Sequence, residues 1–128
     1  MPGIGEILAA ALLSQTQATP PPLLPARPWY SARTRALASQ YSFCRSRGVE
    51  GAMPVDSVAQ GRAIVATMIY ARRARCHRER SRFLSALGAD ARHSGAFPGE
   101  EEFLLDMFDR NIDQRLQDGF AWGDLPEQ

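Results

Sequence analysis

The fold of this chain depends on the stretch from Val58 to Leu87, whose centre reads ARRARCHRERSR at positions 71–82. Those twelve residues hold six arginines and one glutamate, and the apolar run 63–70 precedes them. Ser57 and the three residues after it match a capping box, which marks the start of a helix. No proline interrupts the pattern before Gly88, a residue type that commonly follows the last turn of a helix. We therefore predict one long central helix over about residues 57–87, roughly 45 Å in length.

The predicted central helix carries a narrow apolar seam. Apolar residues recur along it at steps of seven, four, seven, seven and four, close to the spacing of a coiled-coil seam. Further apolar residues predict that the first half is buried on nearly all sides, whereas the second half must be solvated or paired with anions. The seam consists of Val58, Val65, Ile69, Cys76, Phe83 and Leu87, and the first half adds Ala63, Ile64, Ala66, Met68 and Tyr70.

Three further segments have helical patterns, so the predicted fold class is all-α. Ser31 can cap a helix that runs to about Arg45. A last helix spans residues 100–118, with three glutamates in its first turn, where the helix dipole favours negative charge. A short helix covers residues 6–14. The two longer helices and the central helix make up a small helical domain over residues 30–128.

The first 29 residues predict a short amphipathic helix on a proline-rich arm. Residues 19–29 contain five prolines, which favour a semi-rigid polyproline II linker, although Pro22 and Pro25 also have the P-x-x-P spacing of a recognition ligand. The short helix, within residues 1–18, either packs on its own domain or anchors the chain to a neighbouring subunit. Its anchor residues are Ile4, Ile7, Leu8 and Leu12.

Charge is segregated along the chain, although its total is only +1. Residues 27–82 hold twelve arginines against three carboxylates, whereas residues 83–128 hold ten carboxylates against three arginines. All fifteen basic residues are arginine, a composition typical of a GC-rich genome, so arginine need not be present for its bidentate geometry. No global field attracts a polyanion, and any anionic partner must be recognised locally.

The arginine cluster and an acidic helix face are the candidate contact sites. The carboxylates lie at i, i+4, i+7 and i+11 on the last helix, where they repel one another unless a cation faces them. The arginines can pair with this face in the same chain or a neighbour, bind the phosphates of a nucleic acid, or remain a solvated surface. The cluster comprises Arg72, Arg73, Arg75, Arg78, Arg80 and Arg82, and the acidic pairing face comprises Glu102, Asp106, Asp109 and Asp113.

Metal binding and catalysis have little support in the sequence. Cys76 and His77 are adjacent on a helix, so their side chains diverge by about 100° and do not readily chelate one ion. Neither His77 nor His93 has a nucleophile or a carboxylate at motif spacing. We therefore predict a non-enzymatic protein with no metal, no cofactor and no identified small-molecule substrate.

The cysteines and the hydropathy pattern predict the environment of the chain. Cys44 and Cys76 are few and far apart, and both fall at apolar helical positions, so we expect buried free thiols and a reducing interior. No apolar run approaches the roughly 18–20 residues of a membrane span, and the apolar start lacks the basic leader of a signal peptide. The predicted location is the cytoplasm or the inside of a macromolecular particle.

These features favour a small structural or adaptor subunit of a larger assembly, such as a phage or virus particle or a ribonucleoprotein. It would contact protein partners, including copies of itself, through its helix faces and N-terminal arm. The alternative is nucleic-acid binding through the basic helix Arg72–Arg82, with affinity from counterion release. The cluster has neither Asn or Gln base readers beside it nor aromatic residues interleaved for stacking.

Overall fold

The computed structural model of the chain describes residues 23–49 and 54–128. The regular structure in these residues is helical, so the predicted all-α class is confirmed. The helices are α1 (Ala32–Ser46), α2 (Val58–Arg75), α3 (His77–Ser94) and α4 (Glu100–Asp118). Ser31 and Ser57 cap α1 and α2, each accepting a hydrogen bond from the backbone N–H three residues further on.

The single central helix predicted over residues 57–87 is not confirmed, because the chain divides it at Cys76. The N–H of Cys76 donates to the carbonyl of Arg73 (3.1 Å), and its own carbonyl accepts from the N–H of Arg80 (3.0 Å), so α2 ends and α3 begins within one turn. An unbroken helix over residues 58–94 would be about 55 Å long, roughly twice the length of α4. The break lets both halves pack against α4, a tertiary effect that helix propensity does not reveal.

The end of α3 also differs from the prediction. The helix continues through Gly88 to Ser94, and Gly95 takes the left-handed conformation (φ 76°) that ends many helices. A Cβ at Gly88 would lie 3.8 Å from Cγ of Glu101 in α4. The glycine at position 88 therefore lies inside α3 and does not end the helix.

Cys44 and Cys76 form a disulfide bond between α1 and the α2–α3 junction, with their Cα atoms 5.9 Å apart. The prediction of buried free thiols is therefore wrong. Both cysteines do lie on the inner side of their helices, Cys76 fully and Cys44 partly buried. Their separation along the chain did not predict the disulfide, because the two cysteines come together only when the helices pack.

α1 runs antiparallel to α3 and parallel to α4. Near the start of α1, Oγ1 of Thr34 donates to Asp90, near the end of α3 (2.5 Å), while the disulfide joins the other end of α1 to the start of α3. At that other end Arg45 contacts Asp113, in the second half of α4.

α4 lies along both halves of the divided helix and runs antiparallel to each. Asp109, at its middle, accepts hydrogen bonds from Arg73 near the end of α2 and from Arg80 near the start of α3. From there α2 follows the second half of α4, where Nε2 of Gln117 donates to the carbonyl of Arg62 (3.0 Å). α4 therefore contacts each of the other helices of the described residues.

Aromatic and aliphatic side chains from these helices form one core. Phe83 packs edge-on against Phe108 with ring centroids 4.9 Å apart, and Phe108 stacks on Tyr41 at 5.9 Å. All six positions of the predicted seam are buried. Burial of each large apolar side chain contributes about 1.5–3 kcal/mol, so this core is the main stabilising element of the domain.

The first half of the central helix is not buried on nearly all sides, and that prediction is wrong. Val65 and Ile69 face the core, but Ala63, Ala66 and Tyr70 are exposed, the last at 78%. Apolar residues on every face of the segment predicted burial. Among the described residues, however, no further helix covers the outer face of α2.

The C-terminal residues 119–128 return to the start of α2. The N–H groups of Val58 and Ala59 donate to carbonyls of residues 126 and 127, both at 2.8 Å, so two donors that a helix start leaves unpaired are satisfied. The ring of Trp122 lies against Gly61, where an added Cβ would be only 3.0 Å from the ring carbon Cε3. Gly61 therefore allows the tail to pack on the backbone of α2.

Residues 23–30 lie against the helices. The carbonyl of Leu23 accepts a hydrogen bond from Nδ2 of Asn111 (2.6 Å), and Arg27 forms an ion pair with Glu100 (2.8 Å). The predicted N-terminal helix and residues 19–22 of the proline-rich arm fall outside the described residues. So do the anchor residues Ile4, Ile7, Leu8 and Leu12.

Breaking the disulfide should lower the free energy of unfolding. The bond closes a loop with a sequence separation of 32, for which loop-closure entropy corresponds to about 3–4 kcal/mol. Cys44→Ala should therefore lower the free energy measured by urea denaturation by about 3 kcal/mol. Dithiothreitol should lower the free energy of unfolding of the natural chain by the same amount, and it should leave that of the Cys44→Ala variant unchanged. A natural chain insensitive to dithiothreitol would contradict this expectation.

Candidate functional site

Asp109 lies at the centre of a cluster of charged side chains inside the domain. It is only 2% exposed, and α1, α2 and α3 all donate hydrogen bonds to its carboxylate. Oδ1 accepts from Oη of Tyr41 and from Nη1 of Arg45 (2.8 Å). Oδ2 accepts from Nη2 of Arg73 (2.9 Å) and Nε of Arg80 (3.0 Å). Such pairing is what makes a buried charge tolerable.

Arg45 is the most deeply buried cation of this cluster. Its side chain is fully buried, its Nη1 also donates to Oη of Tyr41 (2.9 Å), and its Nη2 pairs with Asp113. Sequence reasoning did not identify Arg45 as a site residue. Its position four residues after Tyr41, on the same side of α1, is the signal that could have revealed a buried and paired charge.

Two side chains of the cluster, Arg80 and Tyr41, have raised pKa values. Burial acts to lower the pKa of Arg80, but the charge of Asp109 and the hydrogen bonds outweigh it, so the pKa is raised. Burial, aided by the hydrogen bond to Asp109, raises the pKa of Tyr41 to about 12. Tyr41 therefore remains a neutral donor to Asp109 throughout the physiological pH range.

The six arginines of the predicted cluster divide into three groups. Arg73 and Arg80 reach inward to Asp109. Arg72 crosses to α1, where its Nε donates to the carbonyl of Cys44 (2.6 Å) and its Nη2 lies 3.5 Å from Sγ of the same residue. The last three are exposed, and none forms an ion pair within residues 23–49 and 54–128: Arg75, Arg78 and Arg82.

Arg82 borders a groove of about 440 Å³ between α1 and α3, with Arg33 on the opposite side. The other lining residues are small, apart from Asp90, which accepts hydrogen bonds from the N–H of Ser31 (2.9 Å) and from Thr34 (2.5 Å). Burial acts to raise the pKa of Asp90, but these hydrogen bonds outweigh it and the pKa is lowered. The groove therefore contains a negative charge as well as its two arginines.

The predicted acidic face is divided in a similar way. Asp109 is buried, and Asp113 pairs with Arg45 while its side chain stays 38% exposed. Asp106 is 65% exposed and lies 3.9 Å from Nη2 of Arg80, a geometry in which an ion pair contributes little. Glu102 is exposed and has no ion pair in the described part of the chain. Two of the four predicted carboxylates thus belong to the internal cluster.

A surface pocket of about 320 Å³ opens where α2 meets α3, on the outer side of the cluster. Arg73 and Arg80 form part of its wall, and their side chains are 40% and 27% exposed. Tyr70 and His77 supply an exposed aromatic ring and an imidazole. We call this the junction pocket; it is lined by Tyr70, Arg73, Ala74, His77 and Arg80.

The outer face of α2 is largely apolar, while α1 and α4 each also expose a phenylalanine, Phe43 at 67% and Phe103 at 56%. No residue from 63 to 71 carries a charge, and the exposed positions include Ile64 at 36% and Tyr70 at 78%. The corresponding surface of α3 carries arginines and serines instead. We call the following exposed residues of α2 the α2 outer face, which the exposed side chains of Gln60 and Arg62 adjoin near its start: Ala59, Ala63, Ile64, Ala66, Thr67, Tyr70, Ala71 and Ala74.

The cysteines and histidines were the remaining candidates from the sequence. The sulfur atoms of Cys44 and Cys76 lie within 4.8 Å of a carboxylate oxygen of Glu79, but the two sulfurs are bonded to each other and are not thiolates. His77 and His93 are both exposed, at opposite ends of α3. The structure does not bring the two histidines to one site.

Comparison with protein-family models, with curated proteins and with solved structures gives no match for this chain. Among the described helices, none is long and apolar enough to cross a membrane. A functional proposal therefore depends on the geometry above.

Asp109→Asn should destabilise the domain strongly. Three guanidinium groups would lose the carboxylate that they share, and removal of one partner of a buried ion pair costs about 3–5 kcal/mol. Asp106→Asn, on the same helix but largely exposed, is the matched control and should cost at most about 1 kcal/mol. Urea denaturation measures both variants. Similar small losses in the two would show that the cluster is not a structural centre.

Proposed function

We propose that the chain is a non-enzymatic adaptor subunit that binds a helix of a protein partner on the α2 outer face. The exposure of this face is the observation that carries the proposal. A helix at the surface of a globular protein normally presents charged and polar residues to water. Contiguous exposed apolar surface is instead typical of sites where another protein binds.

The shape of the α2 outer face suits a helix as its partner. The face extends over about 24 Å, and most of its side chains are alanine, so a second helix can approach closely. Ile64 and Tyr70 are its larger side chains and are the natural anchors for a partner pocket. A single helix pair lies at the low end of specific interface areas, so we expect a transient complex.

The charge beside the face indicates the chemistry of the partner. The C-terminal end of α2 adjoins the junction pocket with Arg73, His77 and Arg80. The face itself is uncharged from residue 63 to 71. The complementary ligand is an amphipathic helix with an apolar side and an anionic group near one end.

The contacts that the arginines make within the chain leave nucleic-acid binding as the weaker alternative. Arg73 and Arg80 share Asp109, and Arg72 is bound to the carbonyl of Cys44. The groove beside Arg82 contains the carboxylate of Asp90. Half of the sequence cluster is thus engaged within the chain, which leaves three exposed arginines for an external anion.

Site-specific crosslinking should detect the partner on the α2 outer face. p-Benzoylphenylalanine in place of exposed Thr67 should form a covalent adduct with one protein in the native host, and Ala66→Glu should abolish it. The matched controls are the photoreactive residue at Ala36, on the exposed side of α1, and Ala36→Glu. Both glutamate variants replace exposed residues, so stability should change by at most about 0.5 kcal/mol.

Equal adducts from positions 67 and 36, or an adduct that survives Ala66→Glu, would contradict the proposal. An adduct with a second copy of the chain would assign the face to self-assembly. A salt-dependent shift of RNA or DNA, lost when Arg75, Arg78 and Arg82 are replaced together, would favour the nucleic-acid alternative.

A further inference from the structure

We propose that the junction pocket binds a phosphate monoester group, presented by the protein partner as a phosphorylated side chain. The assignment of that group to a protein partner rests on the proposed function, whereas the phosphate site itself does not. The geometry that supports the site is the arrangement of Arg73, His77 and Arg80 around one pocket of about 320 Å³.

Asp109 holds the two arginines of the pocket in place from behind. Oδ2 accepts from Nη2 of Arg73 at 2.9 Å, and both Nε and Nη2 of Arg80 lie 3.0 Å from the same oxygen. Because Asp109 is itself fixed by Tyr41 and Arg45, both guanidinium groups are already held in place before a ligand binds. A preorganised site of this kind loses less free energy on binding than a pair of mobile surface arginines.

Each of these guanidinium groups retains donors for a ligand. Arginine has five N–H donors, and Asp109 occupies only part of each set. Nη1 and Nε of Arg73 and Nη1 of Arg80 make no hydrogen bond to another described residue. Both side chains line the pocket and are partly exposed, so we expect these donors to reach a bound anion.

The number of donor groups favours phosphate over a carboxylate. One guanidinium fork satisfies a carboxylate, whereas a phosphate monoester presents three acceptor oxygens and a charge of about −1.5 to −2. Two arginines and the imidazole of His77 match three oxygens. Asp106, 3.9 Å from Nη2 of Arg80, lies largely in solvent.

The remaining lining residues suit the organic part of such an ester. Tyr70 is exposed over 78% of its surface, and Ala74 adds a small apolar patch beside it. Both belong to the α2 outer face, so a partner helix on that face would bring a side chain to the pocket at its C-terminal end. The volume is at the low end of ligand pockets, about 300–1,000 Å³, and suits one phosphorylated side chain.

Titration with defined probes tests the pocket. The probes are a blocked Ala-phosphoserine-Ala peptide, the same peptide with aspartate, and adenosine 5′-monophosphate as a free phosphate ester. At low salt the phosphoserine peptide should bind about tenfold more tightly than the aspartate peptide. Calorimetry or NMR titration of the full chain measures the affinities.

Variants of the pocket should separate its role from that of the fold. Arg73→Gln should weaken phosphoserine binding about tenfold or more, whereas Arg92→Gln, at the far end of α3, should leave it unchanged. His77→Ala removes an exposed side chain that does not contact Asp109, so it tests the pocket even if Arg73→Gln disturbs folding. It should weaken phosphoserine binding severalfold.

The site is overturned if neither phosphate ester binds saturably, or if the aspartate peptide binds as tightly as the phosphoserine peptide. Binding that survives His77→Ala unchanged also contradicts it. Tighter binding of the nucleotide than of the phosphoserine peptide would support the phosphate site and overturn its assignment to a protein side chain. Ala66→Glu should leave the phosphoserine affinity unchanged, so a failure of partner docking remains distinguishable from a failure of the pocket.

Discussion

The carboxylate of Asp109 determines how the helices of this domain can be arranged. A charge that is 2% exposed must be compensated, and here the compensation comes from three helices at once. Arg45, Arg73 and Arg80 can meet at one carboxylate only if α1 and both halves of the divided helix lie against the middle of α4. The disulfide between Cys44 in α1 and Cys76 at the α2–α3 junction links the same three helices. Apolar burial supplies most of the stability, while the ionic cluster specifies which ends of the helices meet.

The helical class, the caps at Ser31 and Ser57 and the buried seam follow from periodicity and local chemistry, and the sequence was sufficient to predict them. The break at Cys76 was not predictable in this way, because no proline or glycine marks it and its cause lies in the packing of both halves on α4. Burial of the first half was overestimated for a related reason. A segment that is apolar on every face indicates that something covers it, and the sequence alone cannot tell whether the cover belongs to the same chain.

The site was predictable only in part. Charge segregation identified arginines and carboxylates, but helical spacing could not show that Asp109 is buried while Asp106, three residues earlier, is 65% exposed. Arg45 lay outside the basic cluster, so composition did not single it out. Once the internal pairs are known, two surfaces of the described residues stand out as candidate contact sites. One is the apolar α2 outer face, and the other is the cationic junction pocket at its end. Their adjacency supports the proposal of one partner with an apolar helix and a phosphate group.

The most direct test of the central role of Asp109 is a double-mutant cycle between Asp109→Asn and Arg80→Gln, measured as free energies of unfolding in urea. If the two side chains form a buried pair on which the helix arrangement depends, their coupling energy should be about 2 kcal/mol or more. A coupling energy below about 0.5 kcal/mol, as for distant and independent residues, would contradict the account.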